Sequence, residues 1–242
     1  MKFARACLLL MPLSLVACNA TLPQMAETGA AVASAAGYNN QAQLIRGIKE
    51  ALELGSTRAS TSLSTPGGYA KSPLYRIELP ANLQPIAGSL RQMGLGSQLD
   101  RVEMLMNQGA EKAAVEAQAV FIEAVRNMSV TDALGIVRGH STAATDYFRS
   151  QTEASLRQRY MPIIKQNLQQ IGFYNQYQQF LGTYNMLPLA NKPSLDLEQH
   201  VLNMALDGLF KQVAVEEQLI RKDPVGRGSQ IIGSVFGATQ AR

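Results

Sequence analysis

The stretch that decides the fold is residues 99–124, L-D-R-V-E-M-L-M-N-Q-G-A-E-K-A-A-V-E-A-Q-A-V-F-I-E-A. Leu99, Val102, Met106, Ala110, Ala113, Ala117, Phe121 and Ala124 recur at steps of three and four. That spacing traces one narrow face of a helix, whereas a half-buried strand would alternate by two. The alanines in the stripe leave room for a neighbouring helix to approach closely. Ser97, with Asp100 three residues on, has the form of an acidic capping box at the start of this helix. Beside the apolar stripe, Glu103, Asn107 and Glu111 fall at spacings of four, forming a polar column along its edge.

The same period governs most of the chain on either side. Leu44, Ile45, Ile48, Ala51, Leu52 and Leu54 predict a helix over residues 41–62, which Thr65-Pro66-Gly67-Gly68 breaks. Residues 74–80, L-Y-R-I-E-L-P, alternate instead and put Tyr75, Ile77 and Leu79 on one side. A single short strand has nothing to pair with. It is expected to lie extended across the helices. A short helix over residues 82–93 ends at Gly94, and Ser129 with Asp132 caps another that ends at Gly139. Ser141 or Thr142 should start a long helix that turns Phe148, Leu156, Ile163 and Ile171 inward and is kinked at Pro162. After a joint at Gly172, Phe173, Tyr177, Phe180 and Tyr184 form an aromatic stripe. Leu202, Leu206, Leu209, Val213 and Ile220 mark a last long helix stopped by Asp223-Pro224, and Ile231, Ile232, Val235 and Phe236 a small closing one. The fold class is therefore all-α, an irregular antiparallel helical bundle with one short extended segment. No fixed-period repeat appears, which excludes a solenoid.

The N-terminus follows other rules. Lys2 and Arg5 precede an apolar run over residues 6–16, interrupted by Pro12 and Ser14. The run is far shorter than the ~20 residues a spanning helix needs, and it sits where the core of a secretory signal belongs. It closes on Leu15-Val16-Ala17-Cys18. This resembles the lipobox of bacterial lipoproteins, which implies cleavage before Cys18 and acylation of its sulfur and its new amine. Two or more acyl chains exceed the threshold for stable anchoring. Asn19 follows the cysteine where an aspartate would favour inner-membrane retention, so the outer membrane, facing the periplasm, is the expected location. The expected organisation is a signal peptide over residues 1–17, a lipidated flexible tether over 18–40, and a single helical domain over 41–242. The tether is inferred from a small-residue composition without strong periodicity.

Composition narrows the partners. Cys7 leaves with the signal and Cys18 is consumed by lipid, so the mature chain has no disulfide to stabilise it. Taking Lys2 and Arg5 from the 22 basic residues leaves 20 against 18 acidic ones, close to neutral. No lysine-arginine cluster marks a nucleic-acid footprint. His140 and His200 are the only histidines and stand far apart in the chain, so a zinc site lacks its usual ligands, and no motif calls for a cofactor. His140 beside Ser141 reads as loop and cap rather than as a catalytic pair, since no nucleophile elbow surrounds the serine. The G-L-G of residues 94–96 lacks the preceding strand and third glycine of a nucleotide loop.

Two candidate sites remain. Asn107 and Glu111 on the long helix, with Glu217 and Arg221 near the end of the last one, are candidates for a polar network or a ligand site. Glu216 and Asp223 lie in the same cluster as Glu217 and Arg221. The favoured reading is a half-buried network that sets helix register, with Glu111 or Asn107 bonded to the Arg221 fork. Phe173, Tyr177, Phe180 and Tyr184 are candidates for an apolar wall, or simply for core.

Several segments also carry a family resemblance. They are G-I-K-E-A-L-E-L-G from Gly47, Y-R-I-E-L-P from Tyr75, M-N-Q-G-A-E-K-A-A from Met106, A-L-G-I-V-R-G from Ala133, A-A-T-D-Y-F-R from Ala143, A-L-D-G-L-F from Ala205 and E-E-Q-L-I-R-K-D-P-V from Glu216. In this order they resemble a bacterial family known as domain of unknown function 4197. The resemblance implies an exported, helical, single-domain protein and no assigned activity. Two departures stand out. Val115 occupies a position often held by proline, which predicts a straighter long helix. His140-Ser141-Thr142 replaces residues that are often acidic, so any cation held by those acids elsewhere in the family is not expected here.

Together these features lead to the expectation of a membrane-anchored lipoprotein with a non-catalytic binding or envelope-support domain. Its partners would be the membrane, through lipid, and another envelope protein. The alternatives are a carrier for a small apolar ligand or lipid and a carboxylate-based enzyme using acids such as Glu111 and Glu217. A carrier needs an apolar cavity of a few hundred Å³, an enzyme needs acids free to act in an open cleft, and a partner-binding module needs an exposed apolar patch.

Overall fold

The computed structural model describes the backbone of residues 22–170, 172–186 and 196–240, and the side chains of these spans except those of 22–40, 85, 86, 173, 180, 181, 183, 184 and 237–240. The signal segment and Cys18 lie outside the described residues. The order of elements is α1 (Leu22–Ser64), α2 (Gln84–Leu90), α3 (Gly96–Ala114), α4 (Ala117–Asn127), α5 (Val130–Arg138), α6 (Ala143–Gln170), α7 (Phe173–Met186), α8 (Leu197–Lys222) and α9 (Gln230–Gln240). Residues Arg91–Leu95 join α2 to α3 through a kink at Gly94, whose φ is +86°. No strand occurs among the described residues, and the fold is all-α.

The chain divides into two compact units, Met1–Ala42 and Gln43–Arg242. Helix α1 begins at Leu22, where periodicity predicts a start near residue 41 and composition a coil before it. A helical backbone thus stands over residues 22–40, where composition leads to the expectation of a flexible tether. Apolar periodicity reports burial of one face, not helicity as such. Residues 22–40 contain six alanines, the best helix former, and Pro23 stands in the first turn, where its missing N–H costs nothing.

Within the second unit, α6 and α8 pack together most extensively, and α3 lies against both. Phe121 of α4 joins them at the centre, 5.0 Å from the ring of Phe148 on α6 and 6.0 Å from that of Phe210 on α8. The stripe through residues 99–124 is buried as its spacing predicts, but it belongs to two helices. The chain turns at Val115 and Glu116, where the Glu116 N–H donates to the Ala113 carbonyl at 3.1 Å. Ala113, Ala114 and Ala117 stay fully buried, and Val115 and Glu116 face out. The single long helix expected here is therefore interrupted at Val115 and Glu116, although no proline stands there. Nor does Ser97 cap α3, which starts one residue earlier at Gly96 with no side-chain cap. Asp100 instead pairs with Arg91, on the other side of the Gly94 kink, at 2.9 Å. The Ser129–Asp132 box on α5 is formed in both directions. Pro162 is exposed inside a continuous α6, and Gly172 makes the joint with φ +76°.

Residues 67–83 form a strap of turns and extended chain between α3 and α8. Tyr75, Ile77 and Leu79 are buried in alternation with exposed Arg76 and Glu78. The strap packs so closely on α8 that only glycine fits at position 208. A Cβ there would stand 2.8 Å from the Tyr69 ring and 3.4 Å from Tyr75 Cβ. Gly208→Val should therefore lower stability by about 1–3 kcal/mol, read as a fall in urea midpoint with an unchanged slope. An unaltered midpoint would contradict this close contact.

Candidate functional site

An extended segment inside a helical protein has backbone polar groups and no neighbouring strand to satisfy them. The polar column of α3 supplies the partners. Asn107 Oδ1 accepts from the Ile77 N–H at 2.9 Å, and its Nδ2 donates to the Ile77 carbonyl at 2.8 Å. The same Nδ2 donates to the Glu103 carbonyl one turn back, at 2.8 Å, which locks the amide's orientation. Glu103 Oε1 accepts from the Leu79 N–H at 3.2 Å, while Oε2 takes the Arg76 guanidinium at 3.0 Å. Glu111 Oε1 gathers three N–H donors of the turn at the head of the strap, from Gly67, Tyr69 and Ala70, at 3.0, 3.2 and 3.1 Å. Successive N–H groups converging on one carboxylate make an anion nest of the kind that stabilises a buried charge without a cation.

Register explains the spacing. Four residues of helix rise about 6 Å and two residues of extended chain about 6.6 Å. Glu103 and Asn107 therefore face Leu79 and Ile77 in step, and the strap runs antiparallel to α3. On the far side, the Tyr69 hydroxyl donates to the Ala205 carbonyl of α8 at 2.7 Å, and His200 Nε2 meets the Glu78 carbonyl at 2.8 Å. A carbonyl only accepts, so this nitrogen carries the proton. Burial, with the Glu111 and Tyr75 groups nearby, pushes the Tyr69 phenol well above the usual tyrosine range.

Glu217 and Arg221 form a separate cluster. The Glu217 carboxylate caps α6 from across the bundle. It accepts from the N–H groups of Ala144 at 3.0 Å and Thr145 at 2.9 Å, and from the Thr145 hydroxyl at 2.8 Å. A negative charge at a helix N-terminus is favoured by the helix dipole and the unpaired N–H groups there. Arg221 holds Glu217 from behind at 2.8 Å, bonds the Ile136 carbonyl near the end of α5 at 2.8 Å, and lies over the Phe236 ring of α9 at 5.2 Å. The pairing of Asn107 or Glu111 with Arg221 is thus corrected. The strap satisfies the α3 column, and the end of α5 and the start of α6 engage the pair on α8. Ser141 and Thr142 do not provide the cap expected of them, because Glu217 takes the N–H groups; His140 contacts the Thr142 hydroxyl at 3.2 Å and Asp146 at 3.2 Å on the surface.

A model of the family described as protein of unknown function (DUF4197) matches residues 38–237. The chain belongs to this family. No curated protein and no solved structure matches it. The DUF4197 match spans the strap, the α3 column and the Glu217 cap, so the polar framework lies wholly within the family's domain.

Other candidates of this DUF4197 chain are less engaged. Tyr177 is half-buried and packs against the core; the side chains of Phe173, Phe180 and Tyr184 lie outside the described residues. Glu216 is buried, with Gln212 donating to Oε1 at 3.3 Å. Among the described residues no group of three or more His, Cys, Asp or Glu side chains could hold a metal ion, and no helix is long and apolar enough to cross a membrane. Sequence reasoning missed the roles of His200 and Tyr69. Neither sits in a motif, and only the three-dimensional path of the strap gives them partners.

Two outcomes follow. Asn107→Ala strands the Ile77 N–H and carbonyl at a position with no solvent access, at about 1–3 kcal/mol for each group left unpaired. A urea melt should show a loss of about 2–5 kcal/mol. Asn107→Asp should not rescue it, because an anion would face two carbonyls; full stability in either variant would refute the clasp. The second concerns alkali. The Tyr69 phenol has a folded pKa above its unfolded value near 10, so its contribution is complete below pH 10 and declines above it, as the unfolded chain ionises and the native one does not. Tyr69→Phe should make the fall of stability between pH 10 and 12 shallower by up to about 1.4 kcal/mol per pH unit, and equal slopes would exclude this role.

Proposed function

We propose that this protein is a lipid-anchored envelope lipoprotein whose helical domain serves as a non-catalytic binding or support module. The observation that carries the anchor is the Leu15-Val16-Ala17-Cys18 sequence behind a positive, short apolar leader. The domain would be held through Cys18 at the outer membrane, facing the periplasm, with residues 18–40 between the lipid and the bundle.

The geometry supports a module without its own chemistry. Catalytic acids need oxygens free to meet a substrate. Glu111 spends one oxygen on three backbone donors, and Glu217 uses both oxygens on the start of α6 and on Arg221. Their removal would damage the fold before it could reveal a reaction. Of the aromatic wall expected of a carrier only the Tyr177 side chain is among the described residues, and the apolar cavity they form elsewhere is small. The apolar cavity between α1, α6, α8 and α9, lined by Leu52, Phe148, Val213 and Phe236, offers about 20 Å³, the space of one water. Carrier sites run to hundreds of Å³.

Cys18→Ser should shift the protein from the membrane fraction to the soluble periplasmic fraction and abolish incorporation of labelled fatty acid. A Cys18→Ser protein that still sediments with membranes and still takes up label would overturn the anchor.

A further inference from the structure

The corner between α6 and α7 has a chemistry unlike the rest of the chain. Residues 166–186 contain nine Asn and Gln, five aromatic rings and no charged side chain. At the chain's average of 17% charged residues, 21 positions would carry three or four. Amides and tyrosines in place of lysines and glutamates give a surface rich in paired donors and acceptors yet electrically neutral.

The fold shapes part of this segment into a cleft. Gly172 turns the chain in the left-handed region, and the ends of α6 and α7 enclose an open volume of about 830 Å³. Pro162, Lys165, Gln166 and Gln169 line it from α6, and Tyr174 and Asn175 from α7. Gln166, Gln169 and Asn175 are exposed, and among the described residues no group takes up their side-chain amides. Each therefore offers two donors and an acceptor toward the cleft. The one cation among the described residues of the rim is neutralised: Lys165 pairs with Glu198 of α8 at 2.9 Å. Glu198 also accepts from the Tyr174 hydroxyl at 2.6 Å, which fixes the ring in the wall.

From this placement we infer that the α6–α7 corner is a binding site for a neutral saccharide. A sugar presents vicinal hydroxyls that a carboxamide can meet with a donor and an acceptor at once, and an apolar C–H face that lies against an aromatic ring. The cleft supplies three amides and one ring whose phenol is already held, with no net charge to favour an anionic ligand. An open, wet cleft suits a ligand whose own surface is mostly polar. A cleft of this size admits a tri- or tetrasaccharide. The site specifies a ligand class for the binding role proposed above. It does not depend on the anchor, because membrane release and sugar binding are read separately.

The test uses the full lipoprotein in a polyoxyethylene detergent, since glycosidic detergents would compete. Maltotetraose, cellotetraose and tetra-N-acetylchitotetraose are titrated calorimetrically and by saturation-transfer NMR. At least one should bind with Kd of about 1 mM or tighter. The Gln169→Ala, Asn175→Ala double variant should weaken binding about tenfold or more with a melting temperature near that of the parent, and Tyr174→Ala should weaken it comparably. Tyr174→Phe keeps the ring and should stay within about threefold. The Cys18→Ser protein should bind equally. Absence of saturation transfer from all three sugars would overturn the inference. So would a double variant with unchanged affinity, or binding confined to a charged oligosaccharide such as a trigalacturonate. None of these results would bear on the anchor.

Discussion

Backbone hydrogen bonding is the constraint on which this architecture depends. A helix closes its own ladder, but a length of extended chain in a helical interior cannot, and each buried N–H or carbonyl left open costs as much as a substantial fraction of a domain's stability. The strap over residues 67–83 runs through such an interior with Ile77 fully buried. Glu103, Asn107 and Glu111 act in place of a neighbouring strand, and their fourfold helical spacing matches the twofold step of the strap closely enough to keep both in register. Two carboxylates in a hydrophobic setting would ordinarily be a liability. Here their charge is dispersed over backbone N–H donors and, for Glu103, an arginine at the surface.

The second framework applies the same principle to a helix end. The first turn of α6 has N–H groups with no intrahelical acceptor, and the acceptor comes from α8, 72 and 73 residues further along the chain. Arg221 then links that cap to the carbonyl end of α5 and to the ring of Phe236 on α9. One ion pair thus joins four helices through polar contacts of defined direction, which apolar packing alone does not supply.

Much of this was legible in the sequence, and the gaps share a cause. Spacings of three and four located the buried faces of α3, α4 and α8, and alternation over residues 74–80 identified a strap rather than a sheet strand. The polar column of Glu103, Asn107 and Glu111 was visible, as were Glu217 and Arg221. Their pairing was not. Two amphipathic helices can be expected to meet, but the insertion of a third segment between polar groups leaves no mark in either helix's own pattern. One helix start failed for a related reason: Ser141 and Thr142 resemble caps, yet an acceptor brought from a distant element, Glu217, displaces the local one.

The Glu217 cap also has a temporal meaning. A helix whose first turn is completed from within its own neighbourhood can consolidate as soon as it is made. The N-terminal turn of α6 cannot, because its acceptor lies far downstream, near the end of α8. Contacts of such long sequence separation carry a loop-closure entropy that must be met before they return any stabilisation. The amino-terminal two-thirds of the chain can collapse, but its interior stays unsealed until the last long helix arrives. The N-terminal cap of α6 therefore forms only once nearly the whole domain is present.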